Sequence, residues 1–346
     1  MSSGGGFGMA GIRVTQGLLE DFLERHLAFL NGVRDGRRIL LRRCDLSELD
    51  LTGMDFRNAE FLACNFSGST IRYAKFSCAQ LLASNFDQCD LTGSDFSKAG
   101  MRAATFDYAD LTGTSFGGAD MRDCAIYDDE TNAVGPPINS TFRRALLRGT
   151  DLSHSKLKRA SFEHSIIDDA NLANADMRDV SLIGAEITGT NLTGARLENV
   201  DLSGAAIIGS GMVGLDVDTI HIPSKPTEAE RINEKIAQHG YWVNSGGRDG
   251  QRASFTGEDL SYRSLRGVNL AAADLEGAVL IGTDLSDALL AAANLRGAKL
   301  MRADLRNADL RGADLLETDM RYANMTGCRK GALPGTGLFT LLKEAV

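Results

Sequence analysis

Large apolar residues recur at every fifth position through most of the chain, a spacing that suits neither an α-helix nor a β-strand. Leu, Ile, Phe, Met or Val fills every such position in three runs, 41–126, 142–217 and 255–325. Two residues before each of them stands a smaller residue, usually Ala, Ser, Thr, Cys or Val, and Asp or Asn often lies between the two. Self-similarity at a short fixed period predicts a solenoid.

A slower period of 20 residues lies within the period of five. Phe56, Phe76, Phe96 and Phe116 are spaced by 20 residues. This spacing predicts four five-residue units in each coil, with like residues stacked in neighbouring coils about 4.8 Å apart. We therefore expect the large and small positions to point into the core and the other three positions of each unit to face water.

The recurring Ala-Asp-Leu unit, as in Ala273-Asp274-Leu275 and Ala313-Asp314-Leu315, resembles the repeat of the pentapeptide-repeat family. The resemblance implies an all-β solenoid, namely a right-handed quadrilateral β-helix. This fold agrees with the count of four units in each coil.

The first interruption of the repeat, residues 127–141, contains Pro136 and Pro137. Proline cannot donate to a hydrogen-bonded ladder. The segment is therefore predicted to be a surface loop that leaves the coil.

The second interruption contains a predicted helix, which begins at the capping box formed by Thr227 and Glu230. The sequence that follows, HGYWVNSGGRDGQRASF, parallels HLAFLNGVRDGRRILL near the start, so that His239 corresponds to His26. This similarity predicts two copies of one module, in which a short capping α-helix covers the end of a solenoid whose core would otherwise be exposed.

The predicted organisation starts with a flexible N-terminus at residues 1–13. The first module follows at 14–222, with a cap helix, a β-helix over 39–217 and the loop at 127–141. A linker and the second cap helix occupy 223–254. A second β-helix with a C-terminal helix completes the chain at 255–346.

Charge and composition narrow the function further. The chain has 37 Lys and Arg against 46 Asp and Glu, a net charge of −9, which makes direct nucleic-acid binding unexpected because phosphate neutralisation needs clustered cations. No apolar run reaches the length of a membrane-spanning helix, and the start lacks the apolar core of a secretory signal. We interpret the chain as a cytoplasmic bacterial protein with no membrane partner.

No arrangement of residues predicts catalysis, a cofactor or a metal site. Four cysteines occupy the small inward position, which favours burial over reactivity: Cys44, Cys64, Cys89 and Cys124. The carboxylates fall in the outward columns, where no pocket would shift a pKa as a general acid requires. We expect no enzyme activity.

Glu258 and Arg263 stand out because both occupy the small inward position at the start of the third run. A buried charge without a partner is very costly, which favours a paired charge under the cap helix. A ligand-binding notch is the alternative interpretation.

Apolar residues at outward positions and acidic residues in the loop define a hypothetical interaction surface. The residues are Leu62, Leu82, Ile281, Met301, Asp128, Asp129 and Glu130. Adjacent apolar side chains on a regular face favour a protein interface, although chance or packing against a nearby loop would also account for them.

Two function classes follow. The first is a non-enzymatic scaffold or adaptor for protein–protein interaction, whose protein partner the sequence does not identify, with a homodimer possible through imperfectly capped solenoid ends. The second is DNA mimicry directed at a DNA-processing enzyme such as DNA gyrase, which the family resemblance implies. A DNA mimic needs sustained negative potential, but here basic residues such as Arg306 and Arg311 alternate with the acidic ones. The scaffold is therefore favoured.

Overall fold

The structure is a computed structural model that describes residues 7–128, 133–208 and 228–333. The chain divides into two compact units, Met1–Lys225 and Pro226–Val346. Within the described ranges the helices and strands are β1 (Phe7–Ala10), α1 (Gln16–Leu30), β2 (Ile39–Arg42), β3 (Glu60–Leu62), β4 (Cys124–Asp128), β5 (Ala133–Ile138), β6 (Ile166–Asp168), β7 (Glu186–Thr188), β8 (Ala206–Ile208) and α2 (Glu228–Asn244).

Both units are β-helical solenoids, in which short parallel bridges join residues 20 apart. Asp50 pairs with Thr70 in the first unit, and Asp274 pairs with Asn294 in the second. Strands of three or four residues appear where the bridges lengthen, as in the parallel sheets β1-β2-β3 and β6-β7-β8. The predicted solenoid with 20 residues in each coil is therefore confirmed.

Each five-residue unit turns because its polar residues favour the turn locally. The carboxylate of Asp50 accepts a hydrogen bond from the backbone N–H of Thr52 at 3.0 Å, and this pattern recurs along both units. The next residue adopts a left-handed conformation, with φ of 69° at Gly53 and 61° at Asn58. Gly and Asn tolerate that conformation best, which explains why the last position of the unit is so often Gly or polar.

The core of the first unit is a stack of aromatic rings. Phe76 and Phe96 lie 4.8 Å apart between ring centroids and are inclined by 4°. Polar residues at the small inward position bond to the coil before them, as when the Ser84 hydroxyl donates to the Phe61 carbonyl at 2.8 Å. The core of the second unit consists mainly of stacked Leu and Ala.

The insertion in the first unit is a β-hairpin, so the prediction of a loop at 127–141 is wrong for most of the segment. β4 and β5 pair antiparallel, with Ala125 opposite Pro137. Proline is tolerated there because a two-stranded hairpin has an outer edge that needs no donor. The solenoid resumes beyond it, since Thr105 bridges to Thr141, 36 residues further on.

The start of the described chain is ordered, in contrast to the predicted flexible stretch at 1–13. β1 pairs in parallel with β2, matching Phe7 with Ile39. The N–H of Val14 then donates to the Asp45 carbonyl at 2.8 Å. Residues 7–13 therefore add a partial coil to the end of the first unit, because the edge strand β2 offers unpaired backbone groups.

One helix precedes the coils of each unit and contributes to its core. In α1, which Thr15 caps, Leu19 and Phe22 belong to the same apolar cluster as the first coils. In α2, Ile232 belongs to the cluster of the second unit. Thr227 and the expected C-terminal helix lie outside the described residues.

Candidate interaction surfaces

Two buried histidines join the helices to the coils in the same way. His26 accepts a hydrogen bond at Nδ1 from the Ile39 N–H (3.2 Å), and its Nε2 lies 3.0 Å from the Arg57 carbonyl. His239 accepts at Nδ1 from the Ala253 N–H (3.1 Å). These pairs occupy equivalent places in the two aligned segments, so the repeated sequence corresponds to repeated geometry.

The aromatic and glycine positions of this motif are also equivalent. Phe29 stacks on His26 at 5.9 Å, and Trp242 stacks on His239 at 5.5 Å. A Cβ atom added at Gly36 would overlap the backbone of Phe29. Glycine is therefore required where the chain passes close to the helix.

Burial lowers the pKa of both histidines. For His26 the loss of hydration is the largest cause, and the Arg57 carbonyl and the Asp55 charge oppose it. Burial likewise lowers the pKa of His239, and the Arg252 charge acts in the same direction. The residues keep the neutral imidazole that their hydrogen bonds require, which makes them structural groups.

Glu258 pairs with the helix above it. Its carboxylate accepts a hydrogen bond from Lys235 Nζ of α2, and the same ammonium group donates to the Ser254 carbonyl at 3.0 Å. Lys235 of α2 therefore supplies a cation to Glu258, and a pair between Glu258 and Arg263 stays a prediction.

The cysteines at the inward position are mostly buried thiols. Cys44, Cys64 and Cys89 are buried, whereas Cys124 is half-exposed at the start of β4. Burial raises the pKa of the Cys64 thiol to about 12. A thiol in this environment is a poor nucleophile.

Leu62 and Leu82 lie side by side on one face of the first unit. Both are half-buried, and they line a groove of about 340 Å³ together with Ala63, Ala83 and Ala10. The floor of the groove is thus mainly apolar, and Arg42 and Arg43 also line it. We call this feature the leucine groove.

Ile281 and Met301 are not available as surface. Each is 2% exposed, so the expectation that they face outward into water is wrong. Each of them follows the large position of its five-residue repeat, as Leu62 and Leu82 do. This side of the second compact unit is nevertheless covered. The period of five predicts the side of the coil on which a residue lies. It does not predict whether other segments pack against that side.

Of the acidic residues in the predicted surface, the structure describes only Asp128. Asp128 is the last residue of β4, and Asp129 and Glu130 lie outside the described residues. Two exposed apolar residues of β5, Val134 (67% exposed) and Ile138 (46%), were not part of the predicted surface. The sequence does contain a signal for them, because one apolar residue lies on each side of the Pro136-Pro137 pair.

Acidic and basic side chains on the outer surface form a repeated fork. In Asp-x-Arg units the guanidinium folds back onto the carboxylate two residues earlier, as Arg178 does on Asp176 at 2.6 Å and Arg306 on Asp304. The hydrogen bond from Arg178 is the main reason why the pKa of Asp176 is lowered. These forks break up the negative potential along the surface.

The described ranges contain neither a metal-binding cluster nor a membrane-spanning helix. No group of three or more His, Cys, Asp or Glu side chains there is placed to hold a metal ion. Neither described helix is long and apolar enough to cross a membrane.

Family models match most of the repeat runs. A model described as a pentapeptide repeat region matches residues 39–116. A second, described as pentapeptide repeats (8 copies), matches 138–164, 165–204, 269–307 and 298–329. The matched segments cover more than half of the 346 residues. No curated protein matches the chain.

Several solved structures are similar to the chain at low identity. HetL, a pentapeptide repeat protein involved in heterocyst differentiation regulation in the cyanobacterium Nostoc, is 19% identical over 87% of this chain and 93% of HetL, with a TM-score of 0.20. Full-length QnrB1, a plasmid-mediated fluoroquinolone resistance protein, is 20% identical over 87% of this chain and 98% of QnrB1, with a TM-score of 0.15. A pentapeptide repeat protein from the thylakoid lumen of Arabidopsis thaliana is 21% identical over 39% of this chain and 69% of its own, with a TM-score of 0.16. At these TM-scores the likeness carries no inference about function.

Proposed function

The chain belongs to the pentapeptide repeat family, and on that premise we propose that it is a non-enzymatic scaffold or adaptor that binds another protein through the leucine groove. The observation that carries the proposal is the apolar floor that the adjacent side chains of Leu62 and Leu82 form. Adjacent apolar side chains on a rigid face contribute binding energy without a large ordering cost.

The hairpin is proposed as a second contact region of the same scaffold. Val134 and Ile138 are exposed in β5, and the acidic residues Asp128, Asp129 and Glu130 of the predicted surface belong to the same insertion in the sequence. Loops and hairpins that rise from a regular framework commonly carry recognition residues.

Several finer features belong to the same proposal. We infer a right-handed coil with four sides and helices that act as caps. We also infer a first module at 14–222, a linker and second cap helix at 223–254, and a second β-helix at 255–346. A cytoplasmic, bacterial setting and a homodimer are proposed with them. The dimer would form by pairing of exposed coil ends.

Affinity capture from cell extract tests the proposed surface. The bait is the full-length protein, compared with the variant Leu62→Asp, Leu82→Asp. A matched control, Ser77→Asp, Ser97→Asp, changes the same position of the unit in two adjacent coils on another side. We expect a protein partner that the leucine variant loses and that the control keeps at equal melting temperature. Equal capture by all three baits would contradict a role for the groove.

DNA mimicry is not favoured by this surface. The Asp-x-Arg forks place guanidinium groups over the carboxylates that a mimic would need to expose, as Arg321 does over Asp319 at 2.8 Å. A topoisomerase subunit captured by the wild-type bait, together with relief of quinolone inhibition in a supercoiling assay, would reverse this preference.

A further inference from the structure

The two leucines of the groove are flanked by an arginine in the coil before them and an arginine in the coil after them. Arg42 pairs with Leu62 in the β2–β3 register, and backbone hydrogen bonds continue the order through Leu82 to Arg102. One column along the solenoid axis therefore runs Arg, Leu, Leu, Arg. The adjacent column has small residues beside the leucines, Ala63 and Ala83, which keep the floor open.

The side of the first unit that carries this column is positively charged. Its outward positions are 40, 42 and 43 in the first coil and the equivalent positions of each later coil, as far as 196, 198 and 199. Together these positions hold nine Lys and Arg residues and six Asp and Glu residues. The outward positions on the other three sides of the same coils hold seven Lys and Arg residues and fifteen Asp and Glu residues. The whole chain has a net charge of −9, so this side differs in sign from the rest of the molecule.

Several cations of this side are more exposed than their carboxylate partners. Glu60, which bonds to Arg42 at 3.1 Å, has 16% of its side chain exposed, whereas Arg42 has 65%. Asp123 is 18% exposed and its partner Arg159 is 51% exposed. A ligand that approaches Arg42 or Arg159 therefore meets a guanidinium group before a carboxylate, and a carboxylate is the group that guanidinium binds best.

We infer that the occupant of the leucine groove is an extended acidic–apolar segment of another protein, which places an apolar side chain on the leucines and a carboxylate at each flanking arginine. The inference rests on the proposed scaffold function and names the chemistry of its partner. A nucleic acid is disfavoured, because its affinity depends on many clustered cations along the backbone and gains little from an apolar floor.

The spacing of the column predicts the spacing in the partner. Arg42 and Arg102 are separated by three coils, about 14 Å at the usual distance between strands. Four residues of an extended chain cover about 13 Å, and alternate side chains point to the same face. The expected segment therefore has acidic residues at positions i and i+4 and an apolar residue at i+2.

Fluorescence anisotropy with the full-length protein tests this inference. The probe is a fluorescein-labelled peptide with the core Glu-Ser-Leu-Ser-Glu, and its controls carry Ser for Leu or Lys for both Glu. We expect each control peptide to bind at least fivefold more weakly than the probe. We also expect binding of the probe to weaken as salt rises, because the carboxylate–guanidinium contacts are exposed.

Protein variants assign the two parts of the column. Arg42→Gln, Arg102→Gln removes the flanking charges, and Arg38 remains 3.2 Å from Glu60, so that carboxylate keeps a partner. Leu62→Ser, Leu82→Ser removes the apolar floor without changing charge. We expect each variant to weaken probe binding at least fivefold, and Ser77→Asn, Ser97→Asn to leave it unchanged.

The outcomes separate this inference from the proposed scaffold. Three results would contradict an acidic–apolar segment as the occupant of the groove. They are equal binding of the lysine peptide, undiminished binding of the probe by the arginine variant, and stronger competition by duplex DNA than by unlabelled probe. If the arginine variant also captured the same protein from extract while the leucine variant lost it, the scaffold would stand with a different partner chemistry. If neither variant lost a captured protein, both proposals would fail.

Discussion

At the residue scale, a few backbone requirements explain most of the repeat. Asp50 stabilises its turn through the Thr52 N–H, and a left-handed residue follows at Gly53. These local effects recur in many of the five-residue repeats, which is why the solenoid could be predicted from the sequence. By contrast, the requirement for glycine at Gly36 arises from contact with Phe29 across a turn, and no local pattern reveals it.

Glycine substitutions distinguish the two kinds of requirement. Gly36→Ala should lower the free energy of unfolding by about 3 kcal/mol, because the added methyl group meets backbone atoms that cannot move aside. Gly113→Ala, at φ 65° with open space around its Cβ, should cost only about 1 kcal/mol of conformational strain. Urea unfolding of the two variants measures the difference, and equal losses would contradict the proposed contact at Gly36.

At the element scale, the helices and the hairpin differ in how well the sequence predicts them. The periodic apolar positions and the repeat of His26 at His239 predicted a helix before each solenoid. The hairpin was missed because Pro136 and Pro137 argue against a strand, yet the outer edge of β5 needs no proline N–H. The partner of Glu258 was missed because Lys235 lies 23 residues away on another element, where a period of five says nothing.

The junction between helix and coil should be sensitive to acid. The folded-state pKa of His239 is lowered, so the unfolded chain binds more protons once the pH falls below the ordinary value of about 6.5. Stability is fully present above that pH and is lost as the pH falls towards the folded pKa, by about 1.4 kcal/mol for each unit of pKa difference.

Trp242, the single tryptophan, stacks on His239 and reports this equilibrium by its fluorescence. Urea unfolding at pH 7.5 and pH 5.5 should show a lower stability at the acidic pH. His239→Gln should be less stable and should depend less on pH, whereas the exposed control His154→Asn should behave like the wild type. An unchanged pH dependence in His239→Gln would mean that other groups control the acid response.

At the scale of the whole molecule, the account combines a rigid repeat with one distinctive surface. The sequence placed Leu62 and Leu82 on one face, and it placed Ile281 and Met301 on the outside in the same way, where the structure finds them buried. A repeat predicts which side of the coil a residue lies on, because the bridges are regular. Coverage of that side depends on contacts between distant segments, which a single repeat unit does not encode.

Site-specific photocrosslinking in cells tests the proposed interaction surface most directly. A photoreactive amino acid is placed at Leu62 or Leu82, and at the matched positions Ser77 or Ser97 on another side of the same coils. The account predicts a protein adduct from 62 and 82 and none from 77 and 97. Adducts of equal yield from both sides, or from 77 and 97 alone, would contradict an interaction centred on the leucine groove.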